Sequence, residues 1–125
     1  MSILIKAVER ANPQNRNEKK YYATVATRGT TDLDGLADLV SKFSSLSKGD
    51  VHSVLLNLLD AIPNELLDGK VVKLGKLGSL SLNVDSEGVA TAEEVTGDQV
   101  KSVHVVFRPS QEFKSDLDKF TIRTS

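Results

Sequence analysis

The chain has 125 residues and a mass of 13.6 kDa, which suits one domain, and its 39% apolar content allows a modest core. It contains no cysteine, so a disulfide framework and a thiolate zinc site are both excluded. Its net charge of −1 and isoelectric point near 6.1 run against the basic balance usual in a phosphate-binding protein.

The charge is unevenly spread. Between residues 1 and 28 the bases Lys6, Arg10, Arg16, Lys19, Lys20 and Arg28 face only Glu9 and Glu18. Between residues 85 and 102 the acids Asp85, Glu87, Glu93, Glu94 and Asp98 face Lys101 alone. Plain solvated faces account for both stretches equally well. No charged segment leads into an apolar one in the manner of a secretory leader, and no run is long enough to span a bilayer. The expectation is a cytoplasmic protein with no membrane partner.

In chain order, Ile3–Val8 and Tyr21–Thr27 have strand composition, and the polar, basic run Asn12-Pro-Gln-Asn-Arg-Asn17 reads as the loop between them. Alternation puts Tyr22, Thr24 and Ala26 on one face, with Tyr21, Ala23, Val25 and Thr27 opposite. Lys19-Lys20-Tyr21-Tyr22 sets bases beside aromatics, a composition suited to stacking and phosphate contact. A solvated edge strand guarded by lysines has the same composition.

Thr31 is expected to cap a first helix, with Asp34 three residues on, and Leu33, Leu36, Ala37, Val40 and Phe43 recur along one side. The helix is expected to end at Ser44-Ser45. Ser47 caps the next helix, with Asp50 again three residues later. From Val51 to Leu67 this second helix is apolar around most of its circumference, so it must be covered on more than one side. A small domain has little material for that, which points to a partner chain. Pro63 is expected to kink it, and Asp68-Gly69 to end it.

Gly69-Lys-Val-Val-Lys-Leu-Gly-Lys-Leu-Gly-Ser-Leu-Ser-Leu-Asn-Val84 reads as a strand, a turn on Gly75 and Gly78, and a second strand. Leu80, Leu82 and Val84 alternate there with Ser79, Ser81 and Asn83. Residues 85–101 form a polar excursion before a returning strand, Val103–Phe107. Pro109 is placed in the first turn of a short C-terminal helix carrying Ser110, Phe113 and Leu117. A β-prone tail, Phe120-Thr-Ile-Arg123, follows.

The chain offers little to catalysis. His52 and His104 are its only histidines, and neither has paired-ligand spacing around it. Nucleophile elbow, P-loop and dinucleotide fingerprint are all missing. Gly75-Lys76-Leu77-Gly78 spells the GxxG with which KH domains clamp nucleotides. That loop joins helices, whereas β-patterned residues flank this one. The expectation is no enzyme, no cofactor, no metal and no small-molecule substrate.

Two short helices, a glycine hairpin, a polar excursion, a returning strand, a proline and a short helix together resemble the bacterial histone-like HU and integration-host-factor family. The likeness runs from about Thr31 to Leu117. It is carried by Leu46-Ser-Lys-Gly-Asp50, by Val72-Lys-Leu-Gly-Lys-Leu-Gly-Ser-Leu80, and by Val106-Phe-Arg-Pro-Ser-Gln-Glu-Phe-Lys114. The last is close to the family signature F-[RK]-P-G-x-x-L-K, with Ser110 for its glycine and Phe113 for its leucine. The segment Met1–Arg28 is similar to the N-terminal β extension of a longer HU-related subfamily.

The resemblance implies an α+β fold: an HU-like intertwined homodimer with two N-terminal helices, an antiparallel β saddle with an arm, and a short C-terminal helix. Residues 1–30 would be a β extension packed on the same domain, and residues 31–125 the HU-like part. It implies a nucleoid-associated protein that binds and condenses double-stranded DNA with little regard to sequence. By position, Lys76, Gly78 and Ser79 at the hairpin turn and Arg108 and Lys114 near the last helix would approach phosphates. Glycine-turn amides and a helix N-terminus favour anions in any case.

The arm departs from the family. Family arms carry arginines and a proline that wedges between base steps, whereas residues 85–102 hold five acids and neither of those residues. Weak bending of the duplex is therefore expected. A second reading stays open, in which an HU fold has lost duplex binding and meets a basic protein through the acidic excursion.

Overall fold

A computed structural model describes residues 2–124, excluding the side chains of Asn12 and Arg16. Arg16, one of the N-terminal bases, thus lies outside the described side chains. The elements run β1 (Ile3–Asn12), β2 (Asn15–Val25), α1 (Leu33–Lys42), α2 (Lys48–Leu67), β3 (Val72–Lys73), β4 (Gly78–Ser86), β5 (Val100–Pro109), α3 (Gln111–Leu117) and β6 (Ile122–Thr124). They divide into two compact units, Met1–Asp32 with Leu117–Ser125, and Leu33–Asp116.

The first unit is a three-stranded sheet in the order β2-β1-β6. β1 and β2 are antiparallel, and β6 runs parallel to β1 with Ile3 opposite Ile122 and Ile5 opposite Thr124. The expected loop over 12–17 is shorter than its composition suggests. The ladder continues through Ala11–Lys19, so Asn15–Asn17 belong to β2 and only Pro13-Gln14 connect the strands. Paired backbone decides this, because each added rung satisfies amides that a loop would leave to water. The β-prone tail does form a strand, and the Ile3 amide donates to the Thr121 carbonyl at 2.8 Å beside it.

In the second unit α1 begins at Leu33, one residue later than a cap at Thr31 would start it. Asp34 pairs instead with Lys48 Nζ at 3.1 Å, tying the start of α1 to the start of α2. The helix also stops earlier, at Lys42, where the Phe43 amide turns back to the Val40 carbonyl. α2 begins as its sequence indicates: the Asp50 amide donates to Ser47 Oγ at 3.2 Å. It continues through Pro63 to a C-cap at Asp68. Lys70 closes that end, its ammonium within 3.2 Å of Glu65 and 3.3 Å of Asp68. The Glu65 carboxylate, then Asp68, hold the Lys70 pKa above its ordinary value.

Among the described residues the buried apolar side chains are only Ala37, Val51 and Leu66. Along α2, Val54 is 58% exposed, Leu59 49% and Leu67 77%, and Phe43 after α1 is 87% exposed. An ordinary core buries most such side chains. One copy of the chain therefore leaves much of the apolar surface of α1 and α2 uncovered.

The second sheet has the order β3-β4-β5, all antiparallel. Leu80, Leu82 and Val84 lie opposite Phe107, Val105 and Val103, giving one apolar face. Pro109 is the last residue of β5 and not a helical one; β5 is an edge strand, where the missing amide costs no ladder bond. The helix that follows packs Phe113 edge-on against Phe107, with ring centroids 6.3 Å apart.

The excursion between β4 and β5 shrinks to residues 87–99, because both strands run further than their apolar alternation suggests. A register shift between Asp85 and Ser86 precedes it. It is folded, not loose. The Glu87 amide donates to the Gln99 carbonyl at 3.1 Å, and Gln99 Oε1 accepts from the Thr96 amide at 2.6 Å.

Candidate nucleic-acid interface

The turn between β3 and β4 is built on two left-handed glycines, Gly75 at φ 58° and Gly78 at φ 145°. Gly78 is buried, and a Cβ there would run into the Arg108 carbonyl and come within 2.9 Å of Pro109 Cα. The Leu74 amide closes the turn on the Gly78 carbonyl at 2.8 Å. Ser110 then fastens the turn to the start of α3. Its amide donates to the Leu77 carbonyl at 3.1 Å, its hydroxyl donates to the Lys76 carbonyl, and its Oγ accepts from the Phe113 amide at 3.0 Å. The residue that replaces the family's glycine is therefore both the helix cap and the clasp.

This clasp gathers the expected residues at one end of the sheet. Ser79 lies opposite Arg108 on β5 and opposite Lys73 on β3, so Lys73, Ser79 and Arg108 form one row across three strands. Strands sit about 4.8 Å apart, so the two cations of the row are separated by about 10 Å. A depression of about 330 Å³ lies here, lined by Lys73, Gly75, Gly78, Ser79, Arg108 and Ser110 among others. Lys76 is exposed on the turn, and Lys114 is exposed on α3 with its amide bonded to the Ser110 carbonyl at 3.0 Å.

Lys73 is the addition that sequence reading missed. Its position two residues before Gly75, on the strand that must pair with Ser79, was the available signal. The helix-terminus contribution is smaller than expected. α3 has seven residues and its Phe113 amide is already taken by Ser110, so side-chain charge carries the electrostatics.

Among the described residues, Lys73, Lys76, Arg108 and Lys114 form no ion pair, whereas Lys19, Lys20, Lys42, Lys48, Lys70 and Lys101 all do. The same face of the sheet changes character along its length. Beyond Ser81 and Val106 come Asn83 opposite His104, then Asp85 opposite Ser102 with a 3.0 Å bond from the Ser102 hydroxyl. It is cationic at the clasped turn and acidic toward the excursion. Among the described residues no three His, Asp or Glu side chains group as metal ligands, and no helix is long and apolar enough to cross a membrane.

The family model HU-HIG, described as an HU domain fused to wHTH, Ig, or Glycine-rich motif, matches residues 1–124. The chain belongs to this HU-HIG family. The match thus covers the N-terminal strands as well as the helices and hairpin. Among solved structures, this HU-HIG chain is similar to a candidate bacterial DNA-binding protein from Bacteroides vulgatus ATCC 8482, with a TM-score of 0.64 at 13% identity. The match covers 99% of this chain and 49% of that one, so the HU-HIG chain spans about half its length. At that identity the likeness is one of fold. No curated protein matches the sequence.

Proposed function

We propose that this HU-HIG protein is a histone-like architectural DNA-binding protein, working as an intertwined homodimer that lays duplex DNA against its β saddle without reading sequence. The observation that carries the reading is the group of unpaired cations at the clasped turn, Lys73, Lys76, Arg108 and Lys114, around Gly78 and Ser79. Cations without carboxylate partners release counterions when they meet phosphates, and this drives sequence-independent binding. The family and the DNA-binding description of the Bacteroides vulgatus neighbour support it. So does the exposed apolar surface of α1 and α2, which a second copy would cover. The protein would act at the nucleoid.

The arm in this reading does not intercalate. Its acids, Glu93, Glu94 and Asp98, sit in a closed excursion without proline or arginine, so the duplex is held with little sharp bending. The test is affinity for a plain and a nicked duplex across a salt series, for wild type and for Lys76→Glu with Lys114→Glu. A steep salt slope that the double reversal flattens supports the saddle. Equal binding by both proteins overturns it. If neither binds at low salt, the excursion's acids point instead to an HU-fold module that meets a basic protein.

A further inference from the structure

The N-terminal sheet carries a cationic surface of its own. Its register fixes which side chains share a face. Lys6 lies opposite Thr24, Val8 opposite Tyr22, and Arg10 opposite Lys20, and Leu4 lies opposite Arg123 on β6. One face therefore presents Lys6, Arg10, Lys20 and Arg123 together with Tyr22, Val8 and Leu4. The other presents Ile3, Ile5, Ala7, Ala23 and Val25, with Lys19 held by Glu9 at 3.6 Å and Tyr21 beside that same carboxylate. The Lys-Lys-Tyr-Tyr run is thus split by the pleat: Lys20 and Tyr22 go to the cationic face, Lys19 and Tyr21 to the neutralised one.

A solvated edge would scatter its charges. Here one of them lies over an aromatic. The Arg10 guanidinium lies 5.9 Å from the centroid of the Tyr22 ring, which remains half exposed. Arg10, Ala11, Pro13, Lys20 and Tyr22 line a depression of about 380 Å³, roomy enough for a base. Among the described residues the acid of this face is Glu18, 3.7 Å from Lys20. Both partners are exposed, so the pair is weak and exchanges readily for a phosphate. Lys6, Arg10 and Arg123 have no carboxylate partner among the described residues.

We propose that this face binds single-stranded nucleic acid, with Tyr22 and Arg10 receiving an unstacked base and Lys6, Lys20 and Arg123 following the backbone. A flat sheet with a central aromatic and flanking cations offers stacking that does not depend on base identity. Bases within a duplex are stacked on one another and cannot reach Tyr22. The partner is therefore a single strand, such as one exposed in melted or nicked DNA.

The test measures fluorescence anisotropy of labelled oligo-dT and of a duplex of equal length against the full chain. Arg10→Glu with Lys20→Glu should weaken oligo-dT binding by roughly tenfold or more. Tyr22→Ala should weaken it about tenfold, while Tyr22→Phe should stay within about twofold because the ring survives. Lys19→Glu on the opposite face is the control and should change little. Duplex affinity should hardly move in any of these, whereas Lys76→Glu with Lys114→Glu should do the reverse. Unchanged oligo-dT binding in the Arg10/Lys20 variant overturns the proposal. So does an equal loss on both probes, which would make this face part of the duplex surface. Charge reversal that acts while Tyr22→Ala, folded by circular dichroism, does not would reduce the face to a general polyanion contact and remove the single-strand claim.

Discussion

Ser110 Oγ donates to the Lys76 carbonyl across 34 residues of chain, joining the hairpin turn to the first turn of α3. The same oxygen caps the helix through the Phe113 amide. Ser110→Ala removes both bonds and leaves every cation in place. It should cost about 1–2 kcal/mol of stability in urea unfolding. Duplex affinity should fall with it, since Lys76 and Lys114 lose their common anchor.

Gly78→Ala and Gly75→Ala separate close packing from backbone conformation. Both positions have positive φ, but only Gly78 is walled in by Arg108 and Pro109. Gly75→Ala should cost about 1 kcal/mol, and Gly78→Ala about 3 kcal/mol because the strand edge must move as well. Chemical denaturation of the two variants side by side checks the order. Equal costs would mean that the β4–β5 contact yields easily.

Lys73 was not visible as a candidate for the proposed interface until β3 was paired. Replacing it with alanine should lower the slope of log affinity against log salt by about 1, the signature of one lost phosphate contact. The mid-sheet residue Asn83, replaced by alanine, should leave that slope unchanged.

Leu59 is 49% exposed in the single chain. In the proposed homodimer it lies in the shared core, where Leu59→Asp strands a charge at a cost of about 4 kcal/mol. Circular dichroism should show loss of helix and sedimentation loss of the dimer. A folded, monomeric Leu59→Asp protein would remove the shared core from the proposal.

The excursion should be dispensable to the fold. Glu87 and Gln99 are already joined by a backbone bond at 3.1 Å, so residues 88–98 can be replaced by an Asn-Gly turn. Removing Glu93, Glu94 and Asp98 should raise duplex affinity about threefold at low salt, where screening is weak. A fall in affinity would give the excursion a direct part in binding.

What the sequence disclosed was local. Ser47 with Asp50, the alternation of Leu80 to Val84, and the glycine turn each announce themselves within a few residues, because caps, pleat and φ are short-range constraints. The misjudged places were set by distant partners. Asn15–Asn17 look like loop until Lys19 and Lys20 pair with β1, and Pro109 looks helical until Gly78 lies opposite it. Nothing near Ile122 specifies that it will run parallel to Ile3. Of the site, Lys76, Gly78, Ser79, Arg108 and Lys114 were nameable only through resemblance to a family. Lys73 and the division of Lys19 from Lys20 required the register.

β6 completes a sheet whose other two strands lie about a hundred residues earlier, and this orders events at the ribosome. At ordinary rates of synthesis the outer edge of β1 waits on the order of ten seconds for Ile122–Thr124 to emerge. During that interval Ile3 and Ile5 border an open row of amides and carbonyls, on which a neighbouring nascent chain can add a strand. A segment of three residues, the last strand to be made, closes that edge.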